Sequence, residues 1–462
     1  MTTPTTEVRF GRLERRGLLM GLTGAQLALV GSALILVVSA GMAAGPAGLL
    51  VMAPAWGAAL TVALIPVGGR PLAEVLPVAT AWAARRGIGA CRVIARPCPV
   101  AATAPIAVAG VSGQLRITAD PTSGAAMIRV GRARAGGSVT VAAEIRGHGF
   151  LLENAGTQER RLGAWGRLLG SLSHLPGITS VQVLHRAVPS SGREVRQWWA
   201  AQAAGASSWA ARVVDDLVAD LNVTSVQALL AVTIRPRRGA DIEGVLGSLT
   251  GAFDAAELEL IGWLTPDQIC RVIREAYDPA GAAAAPMDDL AHCVPMGVAE
   301  DWSYARTDSA FHATYWISEW PRSGTHPGFL RPLLLAGGAQ RTFTLLAQPL
   351  PPGKALREIR RARAEQMADA ATRARIGRVE DEGSRAAAVE LSRREEDLIA
   401  GHGDLRFVGL LAVSAATRDE LAGACAATES AAATAGCELR RLVGQQVSAY
   451  AAAALPLARG LR

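Results

Sequence analysis

The sequence predicts an α+β membrane protein: a two-helix transmembrane hairpin at the N-terminus, then two cytoplasmic α/β subdomains, the second a split βαβ fold with a helical insertion. Three observations carry this reading. No charged side chain lies between Arg16 and Arg70, strand-like and helix-like stretches alternate from about residue 100, and the Gly/Ala/Pro-rich "DPAGAAAAPMDD" divides that alternation in two.

Residues 17–69 are uncharged, and one helix needs only about 20 residues to cross a hydrocarbon core. The length therefore fits two spans, placed at about 18–40 and 47–67. Between them, "SAGMAAGPAG" concentrates glycines and Pro46, which disfavour helix and favour a turn. In lipid every backbone polar group must be bonded internally, so two helices joined by a tight turn satisfy the chain. A cleaved signal peptide is the competing reading, and the second apolar segment argues against it. Residues 1–16 form a basic tail, and Arg12, Arg15, Arg16 and Arg70 bracket the apolar stretch as membrane-boundary residues. The inter-span loop has no charge, so the positive-inside rule places both termini in the cytoplasm. This gives a two-pass protein of the cell inner membrane. Residues 70–99 follow as an interfacial helix and linker. In "PLAEVLPVATAWAARR", Trp82 and the closing arginines fit either a helix at headgroup level or one packed on the soluble domain.

The first α/β domain spans 100–278. Its strand candidates are residues 113–120, 125–132, 138–147, 178–188 and 225–236, and its helix candidates are 158–175, 208–221 and 241–258. A linker covers 279–305. The second domain, 306–462, reads as strand 311–321, a short helix, strand 340–352, a charged helical arm 354–400, strand 405–415, a helix, and a closing strand through "CELRRLVGQQVSAYAAAA". That order is the ferredoxin-like split βαβ, with the arm as its insertion. Gly377 and Gly383 divide the arm into two helices. Its few large apolar residues make it a protruding hairpin, with Arg360 and Arg361 as candidate partner-binding residues. "TYWISEWPR" is the densest aromatic cluster, and Tyr315, Trp316 and Trp320 are candidates for a partner patch if the strand exposes them.

The chain carries a formal charge of +7, with Lys354 its single lysine. The arginines are spread without interleaved aromatics, so no direct nucleic-acid site is evident. Cys91, Cys98, Cys270, Cys293, Cys425 and Cys437 stand apart, with no CxxC pair, and read as core residues in a reducing compartment.

Catalytic constellations are missing from the sequence pattern. A phosphate loop would need glycine where Gln348 stands and a hydroxyl where Ala355 stands, so "QPLPPGKAL" does not bind nucleotide. The seven histidines are isolated, and His292–Cys293 are adjacent rather than convergent. No Gly-x-Ser-x-Gly elbow occurs. Asp215, Asp216 and Asp220 beside Arg212 read as a solvated face. The expectation is a protein that is not an enzyme, with no catalytic residues, metal or cofactor.

The opening "GLTGAQ", with Leu22, Thr23 and Gln26, resembles the two-span PrgI-type membrane proteins of conjugation systems, although Gly24-Ala25 stands where a basic residue is usual. The closing region from "DLRFVGLLAVSA" through "GQQ" to "LPLARG" resembles the N-terminal domain of TraC-family type IV secretion ATPases. The chain as a whole resembles actinobacterial integral membrane proteins of conjugative or type IV secretion-like systems. A further likeness, in layout only, is to the EccE subunit of type VII secretion. The resemblance implies an ATPase docking half joined to its own anchor, with the motor on another polypeptide. Expected partners are the lipid bilayer, a separate secretion-type ATPase and other membrane subunits of an oligomeric complex. The alternatives are an EccE-like structural subunit or a membrane-bound transferase with a site between the two α/β domains.

Overall fold

A computed structural model describes residues 24–67, 70–94, 105–131, 137–147, 149–150, 153–175, 177–190, 193–203, 208–219, 223–235, 242–282, 293–321, 325–335, 338–375, 382–399 and 403–460. Arg12, Arg15 and Arg16 lie outside these residues, as does the side chain of Arg70.

The apolar stretch forms one helical segment, α1 (Gly24–Leu64). It is long and apolar enough to span a membrane, with a mean hydropathy of 2.3 in its most apolar window. Two helices were expected here, and the segment is interrupted at Gly45. There the backbone leaves the helical region, at φ 59° and ψ −144°, a conformation that glycine adopts without a Cβ clash. Gln26 Nε2 donates to the carbonyl of Ala63 at 2.8 Å. A straight helix of this length would part those two groups by more than about 50 Å, so the chain turns back at Gly45-Pro46. Short strands β1 (Pro66–Val67) and β2 (Arg70–Pro71) pair with each other and lead into α2 (Leu72–Gly87).

The region after α2 is built on one large antiparallel sheet. Its first strands are β3 (Arg92–Ile94), β4 (Ile106–Ala107), β5 (Gln114–Ala119), β6 (Ala126–Val130) and β7 (Val139–Gly147). Then come α3 (Ala155–His174), β8 (Ile178–Ser190), α4 (Arg193–Gln202), α5 (Trp209–Ala219), β9 (Val223–Ile234), α6 (Ile242–Ala255), β10 (Leu258–Trp263), α7 (Pro266–Tyr277) and the single turn α8 (Pro279–Ala282). The second half holds β11 (Gly297–Glu300), β12 (Ala305–Arg306), β13 (Phe311–Glu319), α9 (Arg331–Leu335), β14 (Gln340–Leu350), α10 (Pro352–Arg375), α11 (Glu382–Ile399), β15 (Asp404–Ala415), α12 (Arg418–Thr434), β16 (Glu438–Arg441) and α13 (Gln446–Ala454).

Two separate α/β domains, the second a free-standing ferredoxin-like unit, are not what forms. The strands run β3-β11-β12-β13-β15-β14-β8-β9-β7-β6-β5-β4, with β10 and β16 also pairing to β7 and β13. The halves are fused through β8 and β14, which pair from Val181↔Ala347 to Ala187↔Arg341. Part of the expected linker is itself sheet, since β11 and the start of β12 lie within 279–305.

The two halves repeat one topology. In the first, four strands lie in the order β10-β7-β9-β8, and in the second β16-β13-β15-β14, all antiparallel. Each quartet places one helical element between its first and second strands, two helices between second and third, and one between third and fourth, with a further helix after the fourth. Matching positions correspond in detail. Thr140 pairs in register with Thr233 and bonds it through the hydroxyls at 2.8 Å. His312 pairs with Ser414 and is bonded to it at 2.8 Å through Nδ1. The third strands share "LLAV", at Leu229–Val232 and Leu410–Val413.

Helices cover both faces of this double sheet. Leu229 and Ala231, with Leu410 and Ala412, face a cluster closed by α7 and α13. The alternate residues face away from it: Leu230 and Val232 pack with α3 and α6, and Leu411 and Val413 with α9 and α12. Strands buried on both sides are continuously apolar, which is why "LLAV" shows no alternation. The expected closing strand ends early: only 438–441 are strand, and α13 follows. Gly444, at φ 69°, turns the chain against the Trp302 ring, and the alanine run then takes up helix.

Candidate functional site

Helix α2 joins the apolar segment to the sheet. Pro71 opens it, and its arginine-rich last turn faces the β11–β12 turn. Trp82, half-buried, meets Trp302 edge to face, with ring centroids 5.2 Å apart and planes at 70°. Arg86 lies over the Trp82 ring at 5.1 Å. Arg85 Nη1 donates to Glu300 Oε2 at 2.8 Å, and its other terminal nitrogen donates to the Gly444 carbonyl. The Glu300 side chain is 3% exposed and also accepts from the Val447 backbone N–H, so this carboxylate ties α2 to α13. Of the two readings of this helix, packing on the soluble domain is the one its side chains adopt.

The charged arm forms as two helices, α10 and α11. Ile359 and Ala362 on one pack with Leu391 on the other in a small cluster of their own. Ion pairs join the arm to itself through Arg363 and Glu395, and to β15 through Arg394–Asp404 at 2.6 Å and Glu358–Arg406 at 2.7 Å. Gly383 lies inside α11, and Gly377 falls outside the described residues. Arg360 and Arg361 are exposed, Arg361 pairing with Glu365 one turn on at 2.9 Å.

The aromatic cluster does not form a surface patch. Tyr315 and Trp320 are buried in the core under α12, and Trp316 is half-buried against the opposite cluster. The Tyr315 hydroxyl donates to Glu429 Oε1 at 2.7 Å and accepts from Arg441, and burial raises its pKa. These residues hold α12 and β16 to β13.

A polar seam that the sequence reading did not assemble lies beneath α7 and α13. His312 is fully buried, with Nε2 bonded to Thr307 Oγ1 at 2.7 Å and its ring stacked on Tyr450 at 4.0 Å. Burial drives its imidazole down to about 3, so it is neutral. Tyr450 donates to the Ala276 carbonyl and stands edge to face with Tyr277, and burial pushes its hydroxyl up to about 12. Arg186, on β8, reaches Glu275 Oε2 at 3.0 Å and the Val272 carbonyl at 3.1 Å, both on α7. Tyr450 and Thr307, from the second half, bond to the Ala276 and Tyr277 carbonyls at the end of α7, so the seam clamps the two halves together. Its signal was invisible in one dimension because His312, Ser414 and Tyr450 are scattered along the chain.

Five of the cysteines are described, and all are buried. Among the described residues no three His, Cys, Asp or Glu side chains group as a metal site would. The sequence matches no protein-family model and no curated protein.

Proposed function

We propose that this chain is a non-enzymatic inner-membrane subunit of a conjugation or type IV secretion-like export apparatus, which mounts a separate ATPase at the membrane. The observation that carries the reading is the seat of α2. An apolar segment that only tethered a soluble domain would need no buried carboxylate, no paired indoles and no bonds to α13 at the junction. Here the membrane segment continues into a helix fixed on the sheet, which transmits position and load. The charged α10–α11 arm, with Arg360 and Arg361 exposed, is the surface offered to the partner.

In this reading α1 crosses the bilayer twice, with Gly45 at the outer turn and both termini in the cytoplasm. The Gln26–Ala63 hydrogen bond supports it, because a buried amide satisfied across the bend costs little inside lipid. Ala44→Cys in intact cells should react with a membrane-impermeant maleimide from outside. A label that reaches it only after lysis would remove the two-pass arrangement.

The partner is tested by purifying the full-length protein from native membranes and identifying what accompanies it. A phosphate-loop ATPase should co-purify, and Arg360→Glu with Arg361→Glu should reduce its recovery while leaving the protein in the membrane. Recovery of none from membranes in which the complex is intact would overturn the docking role.

A further inference from the structure

The two halves carry equivalent helical pairs, and these have diverged in chemistry. The α4–α5 pair follows β8 as the α10–α11 pair follows β14. Because β8 and β14 are antiparallel neighbours, the two pairs leave opposite ends of the sheet. On α10–α11 the exposed positions include Lys354, Arg357, Arg360 and Arg361. On α4–α5 they include aromatic and aliphatic side chains, with Trp198 62% exposed, Trp209 73%, Leu217 63%, Val195 39% and Val213 38%, alongside Arg212, Asp215 and Asp216.

This apolar surface is ordered. Trp209, Val213 and Leu217 stand four apart on one face of α5. Trp199 Nε1 donates to Asp215 Oδ1 at 2.7 Å, bonding α4 to α5 and occupying one of the two aspartates of α5. Arg212 is exposed next to Val213. The α10–α11 pair also exposes Met367, Val389 and Ile399, but the exposed indoles lie on α4–α5, and α10–α11 holds no tryptophan.

We propose that the α4–α5 arm rests on the bilayer surface, with Trp198 and Trp209 in the headgroup layer of phospholipid. Tryptophan favours that layer because it has an apolar body and one N–H that must stay hydrated. An amphipathic helix lying in the interface uses such residues on its apolar face. The direction comes from the antiparallel seam: if the charged arm points to a partner in the cytoplasm, the other end of the sheet points back to the membrane that α1 occupies. The inference rests on that reading of the charged arm.

The test uses the full-length protein in phosphatidylcholine–phosphatidylglycerol vesicles, in which a fraction of the lipid carries brominated acyl chains. The emission lost in the Trp198→Phe, Trp209→Phe variant isolates these two indoles, and an unchanged far-ultraviolet spectrum confirms its fold. Brominated lipid should quench wild-type emission more than that of the variant, and aqueous acrylamide should quench the two equally. Equal quenching by brominated lipid overturns the proposal. If acrylamide alone reaches the two indoles, the arm is in water; if neither quencher does, protein covers it. No ATPase is present in these vesicles, so a failed co-purification together with lipid quenching would remove the ATPase reading alone.

Discussion

His312 shows what a single buried side chain contributes. It stands where Thr140 stands in the first half, and its ring nitrogens are both used, by Thr307 and Ser414. In the unfolded chain it titrates near 6.5, and in the fold near 3. Between those values the unfolded chain binds the additional proton, so stability falls as pH drops from 6.5 towards 3. At pH 5 the loss is about 2 kcal/mol relative to neutral pH. His312→Gln should lower stability at pH 7, where one ring contact is lost, yet flatten the decline between pH 7 and pH 5. Denaturant midpoints at the two pH values measure both effects, and an unchanged slope would mean that other groups dominate. Arg85 makes a comparable case at the junction. Arg85→Ala strands the Glu300 carboxylate in a site that is otherwise closed. A broken buried pair costs about 3–5 kcal/mol, and the partial exposure of Arg85 brings this nearer 2 kcal/mol. Faster amide exchange across α2, with β13 unchanged, is the expected result.

Elements were legible wherever their periodicity was local. The strands β5 to β9 and β13 to β15 lie within a few residues of their sequence-based bounds, as do α3, α5, α6 and α12. β10 and α7 went unread: "LELIGW" is short, and Ile269, Cys270, Val272, Ile273, Ala276 and Tyr277 form one apolar face only once they are placed on a helix, with Arg271, Arg274 and Glu275 off that face. The Thr265–Gln268 capping box was present in the sequence as the start signal for α7. The closing strand was overextended because the strand pattern before Gly444 was carried into an alanine run that prefers helix. The arm was read from its helix formers, but its attachment was not, since Asp404 and Glu358 acquire their partners only in the fold. That attachment sets an expectation for the arm as an element. Leu391, 6% exposed, packs with Ile359 and Ala362, and Leu391→Ala should cost about 2–3 kcal/mol. Because this cluster is separate from the sheet cores, the loss should appear as faster exchange in α10 and α11, with α12 and β15 unaffected.

At the scale of the molecule the governing fact is the seam between β8 and β14, and neither strand announces it. Both are apolar enough to be central strands, and sequence alone places the break at the glycine- and alanine-rich stretch between the halves rather than the join across it. The repeat was hidden for a related reason. Its shared residues reduce to "LLAV", and the equivalent hydrogen-bonded pairs differ in chemistry, two threonines in one half and histidine with serine in the other. A shared sheet has a mechanical consequence that separate domains would lack. Val183 on β8 pairs with Leu345 of the second half on one side and Leu230 of the first on the other. Proline there cannot donate to the ladder, so it removes a backbone hydrogen bond from a central strand. If the halves form one cooperative unit, Val183→Pro should lower amide protection in β15 of the second half as well as in β9 of the first, by similar free energies. Two independent domains would confine the loss to β9. Hydrogen exchange followed by mass spectrometry on the detergent-solubilised chain separates the outcomes, because β9 and β15 lie far apart in sequence. Full protection of β15 in that variant would show that the second half stands without the first.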